Sequence, residues 1–199
     1  MMKYIISLII IIEICLGQIN KTTSILVVDS EETIYFQNGK YVFPKSGFKI
    51  FLPSKPEYKQ VDNYLTFAQA FNCMEMIGDC PLNYSVIFGF AANKKLSPDM
   101  SRKDLEYSIK HMMDGIPGVK NVKIISSSFV KFKNIYNSFE YEIIYEKKSS
   151  YGYYYKEVRK GILIDYYGRM LKIGIMSSSR CQEIISNKYI ELLKSFELI

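Results

Sequence analysis

Between Phe139 and Ser177 the chain alternates apolar and polar residues with a period of two, the spacing of a pleated strand with one buried face. Phe139, Tyr141, Ile143 and Tyr145 fall on one side, and Glu140, Glu142 and Glu146 on the other. Three such runs follow one another: SFEYEIIYEKK, YYYKEVRKGILID and RMLKIGIMSSS. The connecting pieces KSSYG and DYYGR hold Gly152 and Gly168, residues that accept positive φ where the chain reverses. The stretch predicts an antiparallel meander on which the other elements pack.

Upstream, TIYFQNGKYVF places Asn38-Gly39 between two apolar runs, the dipeptide of a type I′ turn, so Thr33 to Phe43 predicts a hairpin. GFKIFLP alternates Phe48, Ile50 and Leu52 with Lys49 and Phe51, and Pro53 and Pro56 end that strand. After a polar loop, YLTFAQAF and YSVIFGFAAN predict two strands, the second apolar on both faces and therefore suited to a central position. Ser97-Pro98 opens a helix, with Ser97 as cap and Pro98 at the first helical position, and Gly115 closes it. Its buried face is read as Leu105, Ile109, Met112, Met113 and Ile116, the two methionines as core filler. Val119 to Lys133 adds one or two strands. Ser179-Arg180-Cys181-Gln182 reads as a capping box before a helix whose stripe is Ile184, Ile185, Leu192, Leu193 and Phe196, interrupted by Lys188. The closing SFELI leaves that helix for a sheet edge. The class is α+β: an antiparallel sheet flanked by helices, with an N-terminal hairpin.

The 199 residues suffice for one domain with one core. The first residues, MMKYIISLIIIIEICLGQ, combine a basic head, an apolar run and small residues, the pattern of a secretory signal peptide cut after Gly17. That run is shorter than the roughly 20 residues of a membrane span. A lipid anchor at Cys15 is the weaker alternative, because Ile14 stands where a lipobox wants a small residue. The expected organisation is a leader over 1–17, a linker and hairpin over 18–45, with SILVV as linker or added edge strand, and a domain over 46–199. No transmembrane helix is expected in the mature chain.

The formal charge is +6, and removing the leader takes one residue of each sign and leaves it unchanged. Lysines are scattered through strands and loops, which argues against a nucleic-acid partner. Export permits disulfides. Cys73 and Cys80 flank the short segment MEMIGD and are the expected pair, with Cys181 left free and buried or pairing with either. One His and no C-x-x-C spacing fit no zinc site.

Three segments together resemble the PsbP/DcrB-like superfamily, an αβα sandwich: GFKIFLP at Gly47 to Pro53, GILID with YYGRMLKIGI at Gly161 to Ile175, and KSFEL at Lys194 to Leu198. The resemblance covers Ser46 to Ile199. It implies an antiparallel sheet with helices on both faces, and it implies a binding or assembly protein rather than an enzyme. It carries over no partner and no site residue. The hairpin before Ser46 and the Cys73 to Cys80 segment depart from the pattern.

The expected function is that of an exported, non-enzymatic binding or assembly protein. Tyr151, Tyr153 and Tyr155, with Tyr166 and Tyr167, form the candidate contact surface, because tyrosine brings rigid area and a hydroxyl. The competing reading buries those rings under a helix. The alternative function is a carrier of a small apolar or lipid ligand in the cell envelope, with Met112 and Met113 lining a cavity. Catalysis would need a nucleophile with a base, a metal set or paired carboxylates. Glu140, Glu142 and Glu146 opposite Lys156 and Lys160 read instead as cross-strand ion pairs, His111 as a surface residue and Cys181 as structural, and no cofactor is expected.

Overall fold

The computed structural model describes residues 34–63, 66–89, 101–134, 136–167 and 169–199. The leader, Cys15, SILVV, Ser97, Pro98 and Gly168 lie outside the described residues. By internal contacts the chain divides after Glu32, and every described element belongs to the unit Thr33–Ile199.

The Asn38-Gly39 signal produces the expected hairpin, β1 (Tyr35–Gln37) and β2 (Lys40–Phe43), with φ of 51° and 77° at the two turn residues. β3 (Phe48–Ile50) pairs with β2, and β11 (Glu197–Leu198) pairs with β3, giving a four-stranded sheet ordered β1-β2-β3-β11. The larger sheet is ordered β4-β5-β6-β10-β9-β8-β7. It contains β4 (Glu57–Asn63), β5 (Thr66–Ile77), β6 (Cys80–Gly89), β7 (Val119–Phe132), β8 (Tyr136–Lys148), β9 (Tyr154–Tyr166) and β10 (Arg169–Ser178). β8, β9 and β10 are the predicted meander. β4 replaces the expected polar loop: EYKQVDN has no apolar alternation because it is an edge strand. β6 is an interior strand, flanked by β5 and β10, and β10 is the middle one.

Period two sends neighbouring residues to opposite faces of this sheet, and each face has its own core. On one, Leu82, Tyr84, Val86, Phe88, Ile162, Ile164 and Ile173 pack against Phe43, Phe48 and Ile50 of the small sheet and against helix α2 (Gln182–Ser195). On the other, Phe139, Tyr141, Ile143 and Tyr145 pack against helix α1 (Arg102–Asp114). The architecture is α+β, two antiparallel sheets with a helix on each face of the larger one, and the sheets dominate.

Both helices differ from expectation at their first turns. Ser101 caps α1, accepting from the Asp104 N–H at 3.2 Å. Leu105, Ile109 and Met113 face inward, while Met112 is 47% exposed and Ile116 lies outside the helix, 38% exposed. No capping box forms at α2, because Ser179–Cys181 is a 3₁₀ turn and the Gln182 amide turns to Glu142, donating to Oε1 at 2.8 Å. Tyr189 joins Ile185, Leu192 and Phe196 in its buried stripe, and Ile184 and Leu193 are half-buried.

The structure corrects the cysteine pairing: Cys80 is bonded to Cys181, 101 residues away, with 5.9 Å between Cα atoms. The segment MEMIGD is not a loop. β5 runs on to Ile77, which lies opposite Cys80, and Gly78-Asp79 alone makes the turn. Cys73 faces Tyr84, four positions further along β6, so roughly 13 Å of strand separates it from Cys80. It is a buried free thiol in the core beside Ser54, and burial pushes its pKa up.

The register opposes Gly161 to Tyr141, whose ring lies over it; a Cβ at Gly161 would sit 2.6 Å from Oη and 2.7 Å from Cζ. Tyr141 is itself fully enclosed, so the ring cannot retreat. Gly161→Ala is expected to destabilise the fold by about 1–3 kcal/mol in urea unfolding, the cost of overpacking.

Candidate functional site

β8 and β9 meet at a tight connection held by two backbone bonds, Ser149 N–H to Tyr153 O at 2.8 Å and Gly152 N–H to Ser149 O at 3.0 Å, with Gly152 at φ 89°. Tyr151 and Tyr153 project from this tip, 86% and 62% exposed, with rings nearly parallel at 6.3 Å between centroids. Tyr154, the first residue of β9, is 43% exposed, and the Lys120 ammonium lies 3.5 Å from its ring centroid.

The other three candidate tyrosines lie elsewhere. Tyr155 is half-buried on the α1 side of the sheet, its hydroxyl donating to Glu157 Oε1 at 3.1 Å; burial, then the Glu157 charge, raise its pKa. Tyr166 is core: it is 3% exposed, donates to the Gly47 carbonyl at 3.2 Å, packs on Phe48 and Phe196, and is pushed up to about 12 by burial. Tyr167 is exposed, but β9 has 13 residues, so it lies roughly 40 Å from the tip. The five tyrosines are not one surface.

Beside the tip is an open groove of about 460 Å³ lined by Asn121, Lys123, Ile144, Tyr145, Glu146 and Lys156. It lies on the α2 side of the sheet, just past the place where that helix ends its cover. Gln182 at the helix start bonds Glu142, and Ile144 is the next inward position on β8. The register shift between Lys120 and Lys123 bulges β7 here, with Asn121 at φ 54°. Glu146 is engaged by Lys120 at 3.6 Å and by the Asn121 amide at 3.0 Å. Sequence reading missed this groove. Lys120, Asn121 and Lys123 converge only because of the bulge, for which the sequence offers no strong signal.

The carboxylates set against Lys156 and Lys160 are not a solvated row. Glu142 is buried under α2, paired with Lys160 at 3.2 Å, while Glu146 forms the groove wall. On the α1 side, Glu157 is also buried, accepting from Tyr145 Oη at 2.7 Å with Lys147 at 3.8 Å. The Arg159 guanidinium donates to the sulphurs of Met113 at 3.4 Å and Met176 at 3.0 Å. Lys172 is buried, with its ammonium 5.8 Å from the Tyr141 ring; burial first and the Arg159 charge second lower its pKa to about 7.

His111 is exposed and parallel to Tyr107 at 6.0 Å. Among the described residues no three His, Cys, Asp or Glu side chains gather as a metal site, and no helix is long and apolar enough to cross a membrane.

No family model matches the chain, and no curated protein matches it either. Solved structures do. Cyanobacterial PsbP (CyanoP) from Synechocystis sp. PCC 6803 superposes with a TM-score of 0.54 at 12% identity, covering 89% of this chain and 98% of that one. A protein of unknown function, PA94 from Pseudomonas aeruginosa, a putative regulator by its description, gives 0.42 at 10% identity over 81% and 95%. The Saccharomyces cerevisiae Ran-binding protein Mog1p gives 0.42 at 9% identity over 84% and 96%. The fold is PsbP-like.

Proposed function

We propose that this is an exported, non-enzymatic binding or assembly protein that meets its partner at the β8–β9 end of the large sheet. The observation that carries the reading is the pair of rings at the tip, Tyr151 and Tyr153, held outward by a closed turn beside a recess. Large exposed aromatics on a rigid support are what a contact surface needs, since little side-chain entropy is lost on docking. Export is supported by the leader pattern and by the Cys80–Cys181 bond, which belongs to an oxidising compartment. The PsbP-like fold is compatible with such a role but identifies no partner. The carrier reading gains nothing from its two methionines: Met113 is core and touches Arg159, and Met112 is on the surface.

The test is to purify the protein from its own host without reduction, wild type beside Tyr151→Ser/Tyr153→Ser. A partner chain is expected to co-purify with the wild type, and its recovery to fall about tenfold in the variant, the effect of removing a contact worth about 1–2 kcal/mol. Equal recovery of a partner by both proteins overturns the assignment of the tip.

A further inference from the structure

We infer that the groove beside the tip receives an acidic, extended segment of a partner protein. This rests on reading the β8–β9 end as the contact region and adds the chemistry of what docks there. Lys120, Lys123, Lys148 and Lys156 are exposed on the groove's face near the end of the strands, and Lys147, on the opposite face with Glu157, is partly so. Against them stand Glu146, already bonded to Lys120 and Asn121, and Glu157, buried on the opposite face. Among the described residues, Lys123 and Lys156 have no carboxylate partner. The end is therefore a locus of uncompensated positive charge, and a negative partner is the complement it steers and retains.

The register gives the shape. Lys156 lies opposite Glu146 on one side of β8, and Lys123 opposite Ile144 on the other, all four on one face of the sheet. Two strand spacings across and two residues along put the lysine Cα atoms roughly 12 Å apart, the reach of acidic residues three or four positions apart in an extended chain. Ile144 gives such a chain an apolar floor, and Tyr154, two residues before Lys156 on the same face, carries the Lys120 ammonium against its ring. The volume of about 460 Å³ is within the roughly 300–1,000 Å³ of ordinary ligand clefts. A membrane surface is flat and would meet the tip rather than lysines set in the walls of a recess.

The experiment is fluorescence anisotropy of a short fluorescein-labelled peptide of alternating Glu and Thr, with a Lys and Thr counterpart and phosphatidylglycerol vesicles as comparisons. Wild type is expected to bind the acidic peptide, more weakly as salt rises, and not the basic one. Lys123→Glu/Lys156→Glu, with an unchanged melting temperature, is expected to bind at least about tenfold more weakly. Binding of the acidic peptide that is absent, or equal in the variant, overturns the inference, as does binding to vesicles alone. If the Tyr151→Ser/Tyr153→Ser protein still loses its co-purifying partner in that case, the contact region stands and only its acidic ligand fails.

Discussion

Replacing Cys181 with serine, or reducing the Cys80–Cys181 bond, is expected to lower the folding free energy by about 4–5 kcal/mol. The bond closes a loop of 101 residues, and cross-linking a loop of that length removes about 4.7 kcal/mol of chain entropy from the unfolded state. It also ties the β5–β6 turn to the 3₁₀ turn that leads into α2, whose buried stripe completes one core. Urea unfolding with and without dithiothreitol reads the difference, and a change below about 1 kcal/mol contradicts it. Cys73→Ser is expected to leave the bond and its stabilisation in place. Peptide mapping without reduction separates this pairing from Cys73–Cys80 directly.

The second large effect is on pH dependence. Lys172 ordinarily titrates near 10.5 and is held to about 7 in the fold. Above about 10.5 it is neutral in both states and costs nothing. Between 10.5 and 7 the unfolded chain binds the proton and the folded chain does not, so stability falls as pH falls across this window. Below about 7 the full cost of a buried ammonium is present, on the order of 5 kcal/mol. The buried tyrosines act with the opposite sign. Tyr141 and Tyr166 are raised to about 12, and Tyr84, Tyr145 and Tyr189 are raised also, so their contribution is complete below about 10 and is lost above it. Stability is expected to peak between about pH 9 and 10. Lys172→Met, of similar volume, removes the slope between 7 and 10 and stabilises the protein near neutrality. Stability curves of wild type and variant that run parallel contradict the assignment.

What the sequence made legible follows from how local each signal is. Asn38-Gly39 specifies a turn by backbone chemistry alone, and the alternation from Phe139 to Ser177 specifies three strands because their faces see different surroundings. The closing SFELI could be assigned to a sheet edge, but not to the small sheet, since its pairing with β3 is long-range. β4 was illegible because an edge strand need not bury alternate residues. The cysteine pairing failed for a related reason: the six residues between Cys73 and Cys80 look like a loop until β5 is known to continue to Ile77. The tyrosines were recognisable as a class, yet their spacing assumed an extended chain before Tyr154, where the structure has a turn. Tyr155 therefore falls on the α1 side of β9, while Tyr166 is drawn into the other core against Phe48 and Phe196. Ion-pair partners for Glu142 were foreseeable from the register, but its cover by α2 was not.

The most direct test places a photo-crosslinking amino acid at Tyr151, at Tyr153 and, as a control roughly 40 Å away, at Tyr167, in the protein expressed in its own host. Irradiation is expected to join a partner chain at Tyr151 and Tyr153 and to give none at Tyr167. Crosslinks at Tyr167 alone, or equal yields at both ends of the strand, would contradict the account.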